Sequence, residues 1–193
     1  MHILCDTSSI LMLIRIAPEM FIEKEYECCT IGLVRKEIFG TQRFKTKYPW
    51  RIQFKNKVKS LPHDISDNNE VQRYFDAISS LIEHGRVNER TGVEFDLSYI
   101  DKRLLACALC NGYKISSGDA DMKQFAKQEF AGDFRGWISP LGIVNRWLDK
   151  GLIKWGRSLH VHLAEWEAYN EHPQPQRQKN RFKKLTKRNY PGS

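Results

Sequence analysis

Short apolar runs alternate with runs of helical period along this chain, and the alternation predicts an α/β fold. Ile3, Leu4 and Cys5 make a strand-like run over residues 2–6, after which Ile10, Leu11, Leu13 and Ile14 recur at helical spacing until Pro18 stops them. Residues 26–31 read as a second strand, leading into a helix that carries Leu33, Val34, Glu37 and Ile38 and ends near Gly40. Between 67 and 84, Val71, Tyr74, Phe75, Ile78, Leu81 and Ile82 step by three and four, an amphipathic helix closed by Gly85. Residues 98–111 give another, with Leu104, Leu105, Ala108 and Leu109 inward and Asn111-Gly112 as its stop. A strand at 113–117, a helix at 119–130, a strand at 136–139 and a helix at 141–150 complete a small, mainly parallel sheet of four to five strands flanked by helices.

Beyond residue 150 the strand signal stops. The pattern divides the chain into a domain over 1–150, a helical extension over 151–171 with a helix near 158–170, and a basic tail over 172–193. That tail begins His172-Pro173-Gln174-Pro175 and has too few apolar residues to offset its own ordering entropy, so a mobile arm is expected.

At 193 residues, 41% of them hydrophobic, the chain can bury one core of ordinary size. No run approaches the ~20 apolar residues of a membrane span, and the N-terminus reads as a core strand rather than a leader, so a cytoplasmic protein without a membrane partner is expected. The five cysteines lie mostly in apolar runs, as buried thiols of a reducing compartment do. Cys107 and Cys110 have the gap of a zinc or redox pair, but no second pair follows at finger-like spacing. His160 and His162 read as surface residues.

The net charge of +8 is unevenly spread. Residues 35–63 carry nine Lys or Arg against Glu37 alone, and residues 172–193 carry seven with no acid. Two basic blocks bracketing an acidic body are the footprint of a chain that holds a polyanion. Arg43, Lys45, Lys47, Arg51, Lys55 and Lys57 are the candidate phosphate contacts, with Tyr48 and Trp50 interleaved for stacking.

Four acids stand where a strand-like run ends or a helix-like run begins or proceeds: Asp6, Glu37, Asp101 and Asp119. At the carboxyl edge of an open sheet such positions converge however far apart they lie in sequence, and gathered carboxylates suit a hard cation. Each also has an ordinary role. Ser98 to Asp101 is a capping-box pattern, Asp119 can cap its own helix with Asp121 in the first turn, and Glu37 can be a helical charge beside Lys36.

The ordered set resembles the PIN-domain nuclease family, which includes the VapC-type toxins. The matching residues are Asp6-Thr7-Ser8 after the first strand, Glu37 on the next helix, Ser98 to Asp101 opening a Leu/Ala-rich helix, and Ser117-Gly118-Asp119 after a later strand. The resemblance covers residues 1 to about 150. It implies a three-layer Rossmann-like fold and a metal-dependent endoribonuclease. Asp6, Asp101 and Asp119 would organise Mg²⁺ or Mn²⁺, Glu37 would bind directly or through water, and Ser8 and Ser117 would orient carboxylates or water. It also implies RNA as substrate, and it admits an antitoxin protein and a homodimer as partners. The chain departs from the family at Gly118, where an acidic or amide residue is common, and Asp121 is the candidate to replace it.

Other classes fit less of the sequence. An Asp-nucleophile phosphotransferase would want an acid where Ser8 stands, and neither a phosphate-binding Gly-Lys loop nor a dinucleotide fingerprint follows the first strand. A catalytically inactive RNA-binding or assembly module needs only the basic blocks and aromatics, and it is the alternative to the enzyme.

Overall fold

Ile3, Leu4 and Cys5 are apolar at every position because their strand is covered on both faces, as central parallel strands are. The computed structural model describes residues 2–169 and 173–191. In it β1 (Ile3–Cys5) lies between β2 (Cys28–Cys29) and β3 (Lys114–Ser116), both parallel to it, in the order β2-β1-β3. Leu4 stands opposite Cys29 on one side and Ile115 on the other.

Ten helices surround this sheet among the described residues: α1 (Thr7–Leu13), α2 (Gly32–Gly40), α3 (Gln42–Lys47), α4 (His63–Ser66), α5 (Asn69–Glu83), α6 (Tyr99–Asn111), α7 (Ala120–Glu129), α8 (Pro140–Asp149), α9 (Arg157–Ala168) and α10 (Gln176–Thr186). Five of them begin on a capping side chain, Ser98 and Asp119 among them as the sequence marks. Asp6, Asn68, Ser98, Asp119 and Ser139 each accept a hydrogen bond from a first-turn amide, satisfying donors that have no partner inside the helix. Gly112 ends α6 at φ +63, in the left-handed region where a side chain would be strained. One core joins the layers, with Leu104 to Leu109 of α6 buried against the sheet and Val71 and Ile78 of α5 buried beside them.

Two expectations change. Among the described residues the sheet has three strands rather than four to five, because residues 136–139 make only a single parallel bridge, Ile115 to Trp137, before Pro140 starts α8. Ile115 accepts from the Ile138 amide at 3.0 Å, and its own amide donates to Gly136 at 3.1 Å, so the segment lies at the sheet's edge without becoming a strand. The second difference is the tail. Instead of a bare arm, its described part holds α10, seated on α8 through the Asn145 amide, which donates to the Gln178 carbonyl at 2.9 Å. Phe182 and Tyr190 are buried there, Phe182 edge-on to Trp155 at 5.3 Å, and these few aromatics supply the apolar area that composition alone understates. His172 lies outside the described residues. Among those residues no helix is long and apolar enough to cross a membrane.

Candidate functional site

Asp6 leaves β1 in extended conformation and caps α1, so its carboxylate is fixed at the carboxyl end of the central strand. Oδ1 accepts from the Ser9 amide at 2.7 Å, the Ser8 hydroxyl donates to both oxygens at 2.8 and 2.9 Å, and the Gly118 amide donates to Oδ2 at 3.3 Å. Its own amide donates to the Ser116 carbonyl of β3 at 2.9 Å. The residue is thereby tied to two strands and a helix.

Thr7 links the next acid, its hydroxyl donating to the Glu37 carboxylate of α2. Asp101 sits in the first turn of α6; its amide donates to Ser98 Oγ at 3.1 Å, and that hydroxyl donates back to the Asp101 carboxylate. Asp119 follows β3 and caps α7, accepting from the amides of Asp121 at 2.7 Å and Met122 at 3.1 Å, while its own amide donates to Ser117 Oγ at 3.0 Å.

Asp6, Glu37 and Asp101 line one open cavity of about 790 Å³, together with Thr7, Ser8 and Ser98. Asp119 is not part of that lining, yet it lies close enough to be felt. Burial pushes Asp101 above the usual carboxylate range; the Ser98 hydroxyl pulls it back, and the charges of Asp119, Asp6 and Glu37 push it up again. Asp119 is also raised, first by burial, against the pull of the Met122 and Asp121 amides, and then by the charges of Asp121 and Asp6. Among the described residues no three carboxylate, imidazole or thiol groups stand close enough to grip an ion directly. The acids ring a space instead of closing on a point.

The basic block divides. Lys47 and Tyr48 reach the cavity wall, beside Thr41 and Phe44. Lys45 and Lys55 are exposed, and Lys57 is paired to Glu19 at 2.7 Å. Arg51 corrects the expectation that it contacts nucleic acid, for it is only 2% exposed. Its guanidinium turns inward because Nε donates to the Ile38 carbonyl at 2.8 Å and Nη1 to the carbonyls of Phe44 at 3.0 Å and Tyr48 at 3.3 Å, at the ends of α2 and α3. The side chain of Arg43 lies outside the described residues. Asp121 is exposed and takes the Asn88 amide at 3.4 Å, a place that serves the start of α7 more than the cavity.

Sequence reasoning missed Thr7 and His162, and it read Ser98 only as part of a helix cap. Thr7 and Ser98 hold Glu37 and Asp101, and both stand inside motifs already quoted for their acids. His162, expected at the surface, lies on α9 against a second cavity beside the first. Cys107 and Cys110 stay free, the Cys107 thiol pushed up to about 12 by burial. Comparison with family models, curated proteins and solved structures finds no match for this chain.

Proposed function

We propose that the chain is a Mg²⁺- or Mn²⁺-dependent endoribonuclease of PIN-like type, hydrolysing RNA phosphodiester bonds at the cavity between Asp6, Glu37 and Asp101. One observation carries the reading: three carboxylates from three separate elements face one cavity, and a fourth, Asp119, adds its field to Asp101. Half-buried acids that repel one another burden the empty site, and a divalent cation reverses that sign.

The donor set is all oxygen, which suits these ions, and a site of loosely spaced acids suits a cation that keeps several of its waters. Asp6, Glu37 and Asp101 would hold it, with Asp119 behind them. A bound ion supplies an activated water and offsets charge on the phosphoryl and leaving oxygens. The protein's own part is positioning. Ser8 and the Gly118 amide fix Asp6, Thr7 fixes Glu37, and Ser98 fixes Asp101. Lys47 at the wall offers a cation to the backbone of the strand, and Tyr48 beside it offers a ring.

Mn²⁺ should raise the melting temperature of the wild type, by about 2.7 kcal/mol of stability at a hundred times its dissociation constant. Asp6→Asn should lose that gain; equal stabilisation of both proteins would remove the metal-site assignment. The reading as a catalytically inactive RNA-binding module is favoured by one observation, that every acid already serves its own helix or neighbour. It predicts RNA binding with neither metal stabilisation nor cleavage. A toxin role predicts growth arrest on expression that Asp119→Asn relieves, and unchanged growth with the wild type would exclude it.

A further inference from the structure

Beside the carboxylate cavity lies a second one, of about 380 Å³, and the two share Leu11, Lys47 and Tyr48 as a common wall. Its chemistry differs. Tyr48, Trp50 and Tyr169 supply rings, while Arg15, His162 and Glu165 supply a polar floor. We propose that this cavity is a nucleobase subsite, receiving one base of the RNA strand whose backbone crosses the carboxylate cavity; the inference rests on the nuclease reading given above.

Four features argue for a base. Tyr169 is 64% exposed, and among the described residues its ring meets no other aromatic, so a face is open for stacking. Opposite it in kind, Trp50 is already ordered, edge-on to Tyr48 at 5.8 Å and to Phe54 at 5.9 Å, with the Arg15 guanidinium 5.1 Å from its ring centre. A preset aromatic loses little entropy when a base arrives, and Arg15 is held in place by its ion pair with Glu165. Beneath them Trp166 is buried and anchored to the Met12 carbonyl at 3.2 Å, which makes the floor rigid.

The fourth feature is His162. Its Nδ1 is buried with no hydrogen-bond partner, the Glu165 carboxylate standing 3.8 Å away and engaged with Arg15. A buried polar atom left unpaired is costly, and the polar edge of a base, met by a swing of the ring, supplies the missing partner. Burial, and then the Arg15 charge, hold His162 below the usual histidine range, so the neutral ring can present a lone pair or a proton to that edge. The shared wall connects the two cavities: Lys47 belongs to both, and its ammonium lies 5.0 Å from the centre of the Tyr48 ring.

The test is titration of the four ribonucleoside 5′-monophosphates into metal-free protein, followed by quenching of tryptophan fluorescence. Wild type should bind saturably with unequal dissociation constants among the four bases. Tyr169→Ala should weaken binding by about ten-fold, within the range set by loss of one stacking face. His162→Gln should change the order of preference among the bases more than the mean affinity. Glu70→Gln, on an exposed turn of α5 that lines neither cavity, should bind all four like wild type, and because the titration is run without metal it separates the two claims: base binding without any metal-dependent cleavage would keep the subsite and remove the nuclease. Absence of saturable binding, or four equal constants that Tyr169→Ala and His162→Gln leave unmoved, would overturn the subsite even if cleavage is observed.

Discussion

Replacing Arg51 by methionine keeps most of the apolar stem and deletes every donor, and the structure assigns this change a large cost. Three carbonyls lose a cationic donor: Ile38 at the end of α2, and Phe44 and Tyr48 at the end of α3. Those of Phe44 and Tyr48 keep backbone donors, from the Tyr48 and Arg51 amides, so the main loss falls on Ile38 and on the charge that two helix C-termini share. A hydrogen bond from a charged donor is worth about 1.5–3 kcal/mol net, and an orphaned buried carbonyl costs about 1–3 kcal/mol. Against that, among the described residues no carboxylate pairs the buried guanidinium and Nη2 has no partner, so relief of desolvation returns part of the loss. The balance is about 3 kcal/mol, or a fall of about 6–12 °C in melting temperature for a chain of this size. Arg51→Lys should fall between the two, because one ammonium cannot span both helix ends. The assay is urea denaturation beside thermal melting, with exposed Lys55→Ala as the control expected to stay within about 0.5 kcal/mol. If Arg51→Met melts like wild type and only weakens RNA binding, Arg51 is a surface contact and the inward geometry is wrong.

Further outcomes follow from the charges. Asp101 and Asp119 have folded pKa values raised above their unfolded ones, so they favour the fold below the unfolded pKa and that contribution is lost as pH rises through the folded value. In chelator, the gap in stability between wild type and Asp101→Asn should therefore narrow as pH falls toward the ordinary carboxylate range, and Asp101→Asn should be the more stable of the two at pH 7; a less stable mutant would contradict the repulsion. Glu27 behaves oppositely. Lys150 at 2.9 Å and then Arg146 hold it down to about 2, so its contribution is present above the unfolded carboxylate range and lost as pH falls through about 2. Glu27→Gln should cost about 1–2 kcal/mol at pH 7, allowing for partial exposure. Its urea midpoint should converge with wild type as pH nears 2; a constant gap would place the stabilisation elsewhere than in the ion pair.

Local chemistry explains which parts were legible in the sequence. The helix α5 announces itself because one face alternates at three and four residues, and Ser98 and Asp119 announce their helices because each is a capping side chain just before an apolar run. Residues 136–139 mislead because Trp137 and Ile138 carry strand propensity, while the ladder they join offers room for one bridge only. Arg51 looks like its basic neighbours until the two helix ends that need it are in place, a tertiary demand with no sequence signature. The same holds for α10, whose mean polarity hides the single buried Phe182 that seats it. As for the acids, their order along the chain suggests convergence, with Glu37 resting mainly on the family resemblance, while His162 was not visible at all, because its cavity is made by α1, α9 and the segment after α3 together.

If the gathered acids serve metal-dependent hydrolysis, the assay that decides it is Mn²⁺-dependent cleavage of a panel of single-stranded and structured RNAs by wild type and Asp101→Asn. Wild type should cleave until chelator is added, and the mutant should fall by about 100-fold or more, beyond what loss of an outer partner of a metal site costs, with its fold intact. Equal cleavage by both proteins, or none by the wild type with Mn²⁺ present, would contradict it.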